Sequence, residues 1–140
     1  MTVQTLRVPL PEPVYQYLKQ IAIATRRPVE QVAQESIVGN LPPSVATMPV
    51  EMQDELLEFQ NMPLHELQPI AASQMSPAQQ ARHQQLLEEN AAGLLTPAER
   101  DELAALRTVA DRLMLRKAYA WAVLRWRGQA VPALDELPLE

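Results

Sequence analysis

Hydrophobic positions near the start of the chain alternate with other residue types. Leu6, Val8 and Leu10 occupy every second position, so they would share one face of a half-buried β-strand. No second segment has this period, and a lone strand leaves its backbone groups unpaired. The pattern therefore predicts that the strand pairs with the same strand of a second chain, which gives a homodimer.

Two helices are predicted to follow the strand. The first runs from the Pro11-Glu12-Pro13 segment to about Thr25, and its apolar residues recur at steps of three or four: Val14, Leu18, Ile21 and Ala22. The second begins after Pro28 and ends near Gly39, a residue type that is common just past helix ends. Its apolar side holds Val29, Val32, Ala33 and Ile37.

The remaining chain is predicted to be helical. Two short helices are expected over residues 50–60 and 63–73. Ser76 with Gln79, and Thr96 with Glu99, have the spacing of a capping box, which predicts helices over 77–92 and 97–127 that form a hairpin. The fold class is therefore mainly α, with one N-terminal strand that pairs across a homodimer and a long C-terminal helical hairpin.

The last predicted helix has apolar residues on two sides and needs two coverings. One covering is expected to be the hairpin partner, and the other a subunit or a different protein. Three aromatic residues stand near basic ones in its second half, and Trp is enriched at binding hot spots. We predict a partner-binding surface that includes the apolar tail and consists of Tyr119, Trp121, Trp126 and Leu134. The alternative is that the aromatic residues pack within the chain, the basic residues complement the helix dipole, and the tail packs on its own helices.

Composition and charge narrow the function classes. The chain has no Cys, three Gly and two His that lack metal-ligand spacing, His65 and His83. We therefore expect no catalytic residues, no metal and no cofactor, and hence no enzyme. No apolar run is long enough to span a membrane and no signal peptide is evident, so a cytoplasmic protein without a membrane partner is expected.

Charge is distributed unevenly along the chain. The formal net charge is −5, but residues 1–40 carry about +1, residues 41–95 carry −6 and the remainder balances. A negative total argues against non-specific binding to nucleic acid, which depends on neutralising phosphates. An acidic middle segment could instead be steered toward a cationic protein partner.

The run from Leu6 to Leu18, continuing through Ile21-Ala22 and from Thr25 to Val32, resembles the ribbon–helix–helix family of bacterial repressors and antitoxins. Segments 86–90, 95–100 and 115–118 resemble the helical ends of bacterial proteins with antitoxin-like fronts. The resemblance implies a dimerisation or DNA-binding module over 1–41. The hydrophobic pattern and the charge distribution predict three further parts: an acidic helical connector over 42–75, a helical hairpin over 76–128 and an extended tail over 129–140.

The resemblance also implies residue roles. Outward-facing ribbon residues read bases in that family, and the second helix starts near phosphate. Carried over, the DNA-binding residues are Thr5, Arg7 and Arg27. The dimer core would consist of Leu6, Val8, Leu10, Val14, Leu18, Val32 and Ile37.

Two functional hypotheses follow from these features. In the first, the protein is an antitoxin-like regulator that homodimerises, binds operator DNA through the ribbon and binds a partner such as a nuclease toxin through its acidic helical part. In the second, it is a structural or adaptor protein that binds no DNA and uses the same helices as a dimeric scaffold. Pro9 and the acidic net charge motivate the second hypothesis, because Pro9 offers no hydrogen bond at a base-reading position and a negative chain is repelled by phosphates.

Overall fold

The computed structural model describes residues 2–129, which divide into two compact units at the boundary between Leu41 and Pro42. We call them the N-terminal unit, residues 2–41, and the C-terminal unit, residues 42–129. The described residues form six α-helices and one 3₁₀ turn: α1 Glu12–Thr25, α2 Val29–Gly39, α3 Val50–Glu58, the turn Phe59–Asn61, α4 Leu64–Ala72, α5 Pro77–Ala91 and α6 Pro97–Trp126.

The predicted strand is wrong. Residues 2–11 have no regular secondary structure, and residues 2–129 contain no strand. The physical reason is that a β-strand needs backbone hydrogen bonds to a neighbouring strand. Within the described chain no backbone hydrogen bond involves residues 2–10, so the alternation of Leu6, Val8 and Leu10 does not produce a strand. A ribbon–helix–helix module requires a strand, so that assignment is wrong as well, while the mainly α class is confirmed.

Proline sets the beginnings of the helices. The residue immediately before each of the first four α-helices is a proline with φ between −54° and −60° and extended ψ: Pro11, Pro28, Pro49 and Pro63. The last two helices begin with capping boxes instead, Ser76 with Gln79 and Thr96 with Glu99, as predicted. The predicted helices of the sequence are confirmed to within about three residues at each end.

Two glycines end the hairpin helices. Gly93 and Gly128 have φ of +73° and +85°, a backbone conformation that residues with a Cβ rarely adopt. After α6 the amide of Gly128 donates to the Arg125 carbonyl and that of Gln129 to the Leu124 carbonyl, 2.9 Å away. This pair of bonds is a Schellman motif, and it ends the longest helix of the chain.

The larger hydrophobic core lies against the second half of α6. Helices α3 and α4 and the 3₁₀ turn pack on it, so the second covering of this helix comes from the same chain. The buried side chains are Met52, Leu56, Phe59, Leu67, Ala71, Tyr119, Ala120, Val123 and Leu124. Burial of this many apolar groups gives the C-terminal unit a core of its own.

A smaller core joins α5 to the first half of α6. It consists of Leu86, Leu95 and Leu103. Beside it the guanidinium of Arg82 donates to both carboxylate oxygens of Glu102, at 2.7 and 2.8 Å. This bidentate pair fixes the register of the hairpin. Along residues 2–129 no helix combines the length and the apolar character that a membrane span requires.

Candidate functional site

The N-terminal unit consists of two helices with almost no core. Helix α1 packs on α2 through Ala22 and Val32, which are 7% and 4% exposed and are the only buried residues among positions 2–41. The connection is tight, because Arg26 adopts φ +55° and the amide of Arg27 donates to the Ala22 carbonyl at 3.0 Å. Two residues cannot bury the apolar faces of two helices.

Most large apolar side chains of this unit face solvent. Eleven of them are more than 40% exposed, and they are spread over the N-terminal segment, both helices and the segment that follows α2. We call them the exposed apolar set: Val3, Leu6, Val8, Leu10, Val14, Tyr15, Tyr17, Ile23, Ile37, Val38 and Leu41. The N-terminal unit therefore leaves a large apolar area in contact with solvent.

A polar network joins the two helices at their connection. The Arg27 guanidinium forms an ion pair with the Glu35 carboxylate and donates to the Thr25 hydroxyl at 3.1 Å. Gln31 also donates to Glu35, at 3.1 Å. The hydrogen bond from Gln31, followed by Arg27, holds the pKa of Glu35 below its ordinary value. The network therefore links the end of α1 to α2 through the side chain of Arg27.

The residues predicted to bind DNA do not share an element. Thr5 and Arg7 are exposed in the irregular N-terminal segment, whereas Arg27 stands in the connection between α1 and α2. The charge of Arg27 is already balanced by Glu35. Base reading by Thr5 and Arg7 was expected from a ribbon, and the described residues contain none, so the structural basis of that expectation is lost.

The residues predicted to form the dimer core fall into two groups. Val32 is buried and Leu18 half-buried within their own unit, so Val32 serves the contact between α1 and α2. The other five belong to the exposed apolar set: Leu6, Val8, Leu10, Val14 and Ile37.

Two of the residues predicted to form the partner surface on α6 pack in or against the larger core. Tyr119 is 1% exposed; its hydroxyl accepts from the Gln60 amide at 2.8 Å and donates to the Pro43 carbonyl at 2.7 Å. Trp121 packs against the larger core, whereas Trp126 is exposed. Leu134 lies outside the described residues. Tyr119 therefore stabilises the C-terminal unit and has no surface to offer a partner.

The basic residues near the end of α6 have internal partners that the sequence pattern did not indicate. Nε of Arg116 lies 2.7 Å from the Glu55 carboxylate, and its guanidinium stands 5.9 Å from the centre of the Phe59 ring. The guanidinium of Arg127 donates to the Met62 carbonyl at 2.5 Å. These contacts attach α6 to α3 and the 3₁₀ turn. The one signal in the sequence was the acidic character of α3, which complements a basic helix end.

A groove of about 440 Å³ crosses the middle of α6 between the two cores. Its apolar lining comes from Met52, Met75, Val109 and Leu113, and its charged rim includes Glu51 and Arg112. Because the rim carries both signs of charge, it favours neither an anionic nor a cationic ligand. Among residues 2–129, no three side chains of the metal-ligating types come close enough to hold an ion.

The two histidines differ in their surroundings. His65 is exposed, as expected for a solvated helix residue. His83 is half-buried instead, and its Nε2 atom is buried without a hydrogen-bond partner in the described part of the chain. Neither histidine stands in a group that resembles a catalytic arrangement.

The exposed apolar set is the feature of this structure that most needs a partner. It combines a large apolar area with a helix pair that lacks a core, and this arrangement can bind a protein surface. Neither a protein-family model, nor a curated protein, nor a solved structure matches this chain.

Proposed function

We propose that this chain acts by binding another polypeptide through its N-terminal unit, as a structural or adaptor protein, with the C-terminal unit as its stably folded body. One observation carries the proposal: positions 2–41 bury two side chains and expose eleven large apolar ones. Docking would remove these side chains from water, and each Å² of apolar surface that is buried stabilises the complex by about 25 cal/mol. The N-terminal unit is thus one side of a protein–protein interface.

The test is site-specific photo-cross-linking of the full chain in the cells that naturally make it. Tyr17 and Leu94 are each replaced in turn by p-benzoylphenylalanine. Both are exposed, but Leu94 lies in the loop between α5 and α6. We expect protein adducts from position 17 and none from position 94, and we expect Ile37→Glu to abolish them. Equal labelling from both positions, or no adduct from position 17, would reject the proposal.

A second candidate function is the antitoxin-like one, in which the acidic helical part binds a cationic partner such as a nuclease toxin. It is favoured by α3, where Glu51, Asp54 and Glu58 are exposed at helical spacing and form no ion pair within residues 2–129. Such a row of carboxylates attracts a basic surface over roughly one Debye length, about 8–10 Å.

Co-expression with the product of the adjoining gene tests this candidate. We expect the two proteins to co-elute at low salt, to separate as salt rises, and to separate at lower salt in the E51Q/D54N/E58Q variant. Glu88→Gln is the control, since Glu88 is exposed on α5, another helix. Elution that is separate at all salt concentrations would count against an antitoxin-like role for that gene pair.

A further inference from the structure

We infer that the partner of the N-terminal unit is a second copy of this chain, which docks through the same exposed apolar set to form a two-fold symmetric dimer. The inference rests on the proposed function and names its partner. It depends on how much apolar area the set offers and on which charges surround it.

The area is sufficient for a stable interface. Burying one large apolar side chain removes roughly 60–120 Å² from water. The members of the set are exposed by 43% to 86%, so eleven of them present on the order of 600 Å². A standard interface buries about 800 Å² on each partner, and somewhat more than half of it is apolar. About three quarters of the area of the set would supply the apolar part of one side of such an interface.

The charges around the set fit a copy of itself. Residues 1–40 carry a net charge of about +1. Arg27 and Glu35 neutralise each other within the unit. The exposed charges that remain are of both signs: Arg7, Glu12, Lys19, Arg26 and Glu30. A strongly acidic or basic partner is recognised by a surface of one sign, which this unit lacks. A near-neutral apolar surface is complementary to another of the same kind.

Two-fold symmetry limits the assembly to a dimer. In a two-fold interface the same patch serves both partners, so each copy uses its patch once and the assembly closes as a dimer. Each C-terminal unit has a core of its own.

The experiment measures the mass of the full chain by light scattering and by sedimentation, from low micromolar to millimolar concentration. We expect a dimer that dissociates on dilution. Ile23→Glu and Ile37→Glu each place a carboxylate in the interface and should raise Kd at least about 30-fold. Leu94→Glu is the matched control, because Leu94 and Ile23 are both 71% exposed. Its Kd should equal that of the wild type.

Hydrogen exchange of the unmodified chain covers the case in which a charged variant fails to fold. Amides of α1 and α2 should exchange more slowly at concentrations where the dimer is populated, and those of α5 should not change. A wild-type chain that is monomeric at every concentration would overturn the second copy as partner, and so would dimers that persist in both isoleucine variants. If position 17 still cross-links to a different protein, the proposed function survives that result.

Discussion

The two units of this protein are built from similar amphipathic helices, yet they differ in what those helices cover. Of the apolar residues that are buried within positions 2–129, two belong to the N-terminal unit and twelve to the C-terminal unit. The difference comes from α6, whose 30 residues give α3, α4 and α5 a common surface. Helices α1 and α2 have only each other within their unit. A helix pair can cover one face of each partner, so the rest of its apolar surface stays exposed.

The comparison is tested most directly by separating the units at the boundary after Leu41. A fragment of residues 42–140 contains both cores, so we expect it to keep a cooperative thermal unfolding transition. A fragment of residues 1–41 should lose most of its helical circular dichroism at micromolar concentration. Its helices have 14 and 11 residues, and isolated helices shorter than about 12–15 residues are marginal in water.

The helicity of the fragment of residues 1–41 should also be measured at increasing concentration, as a control. If a second copy completes its core, helicity should rise as the fragment is concentrated. Full helicity at the lowest measurable concentration would show that α1 and α2 are stable without a partner, and the contrast between the two units would then be false.

The next largest effect is expected in the larger core. Leu56→Ala deletes a fully buried side chain and should lower the free energy of unfolding by about 3 kcal/mol. Leu57→Ala, at the next position of α3, is the matched control, because Leu57 is exposed and its loss should cost less than about 1 kcal/mol. Urea denaturation measures both values.

The same measurement distinguishes the two units. Val32→Ala removes a buried side chain of the N-terminal unit and should leave the transition of the C-terminal unit in place. A loss at Val32 as large as that at Leu56, in the same transition, would show that the units unfold together.

A smaller effect is expected at Tyr119. Tyr119→Phe leaves the Pro43 carbonyl and the Gln60 amide without their partner, and an unpaired buried polar group costs about 1–3 kcal/mol. Tyr17→Phe is the control, since that tyrosine is exposed in the N-terminal unit, and we expect a change within about 0.5 kcal/mol. Equal unfolding midpoints for the two variants would show that the hydrogen bonds of Tyr119 do not contribute to stability.

Helices could be predicted from this sequence because their signals are local. Pro at the start, a capping box and Gly at the end act within a few residues of the chain, and the observed bounds agree with them. The strand depended on a non-local condition. Alternation at Leu6, Val8 and Leu10 describes a half-buried strand only if another strand supplies hydrogen bonds, and no such partner exists within the described chain.

The candidate surface was predictable only in part, for a similar reason. Sequence periodicity identifies apolar residues, but it does not say which element covers them. Tyr119 was expected at an interface and lies in the core, because α4 packs on that side of α6. Ile37 was predicted to lie in a dimer core; it is exposed in its own unit, and its cover by a second chain stays a prediction. Burial depends on the tertiary contacts of each element, and these are absent from a local pattern.

The smallest expected effect concerns an arginine–carboxylate pair that each unit contains. In the C-terminal unit the hydrogen bond from Arg82 is the largest cause that holds the pKa of Glu102 below its ordinary value of 4.5. In the N-terminal unit the pKa of Glu35 is lowered first by Gln31 and only then by Arg27. A carboxyl group with a lowered folded pKa stabilises the protein above its unfolded pKa, and this contribution is lost as the pH falls through the folded value.

We therefore expect the thermal midpoint of the wild-type chain to fall as the pH drops below about 4.5, the ordinary carboxyl value. In Arg82→Gln the midpoint should be lower at neutral pH and its decline in acid shallower, because Glu102 loses the main cause of its lowered pKa. Glu99 keeps part of its own lowered pKa, since the Thr96 backbone amide is the largest cause of that shift.

Arg27→Gln should flatten the acid profile less than Arg82→Gln does, because Gln31 still donates to Glu35. Arg107→Gln, at an exposed position of α6, is the control. Parallel acid profiles for wild type and Arg82→Gln would show that this pair fixes the hairpin geometry without contributing to its pH-dependent stability.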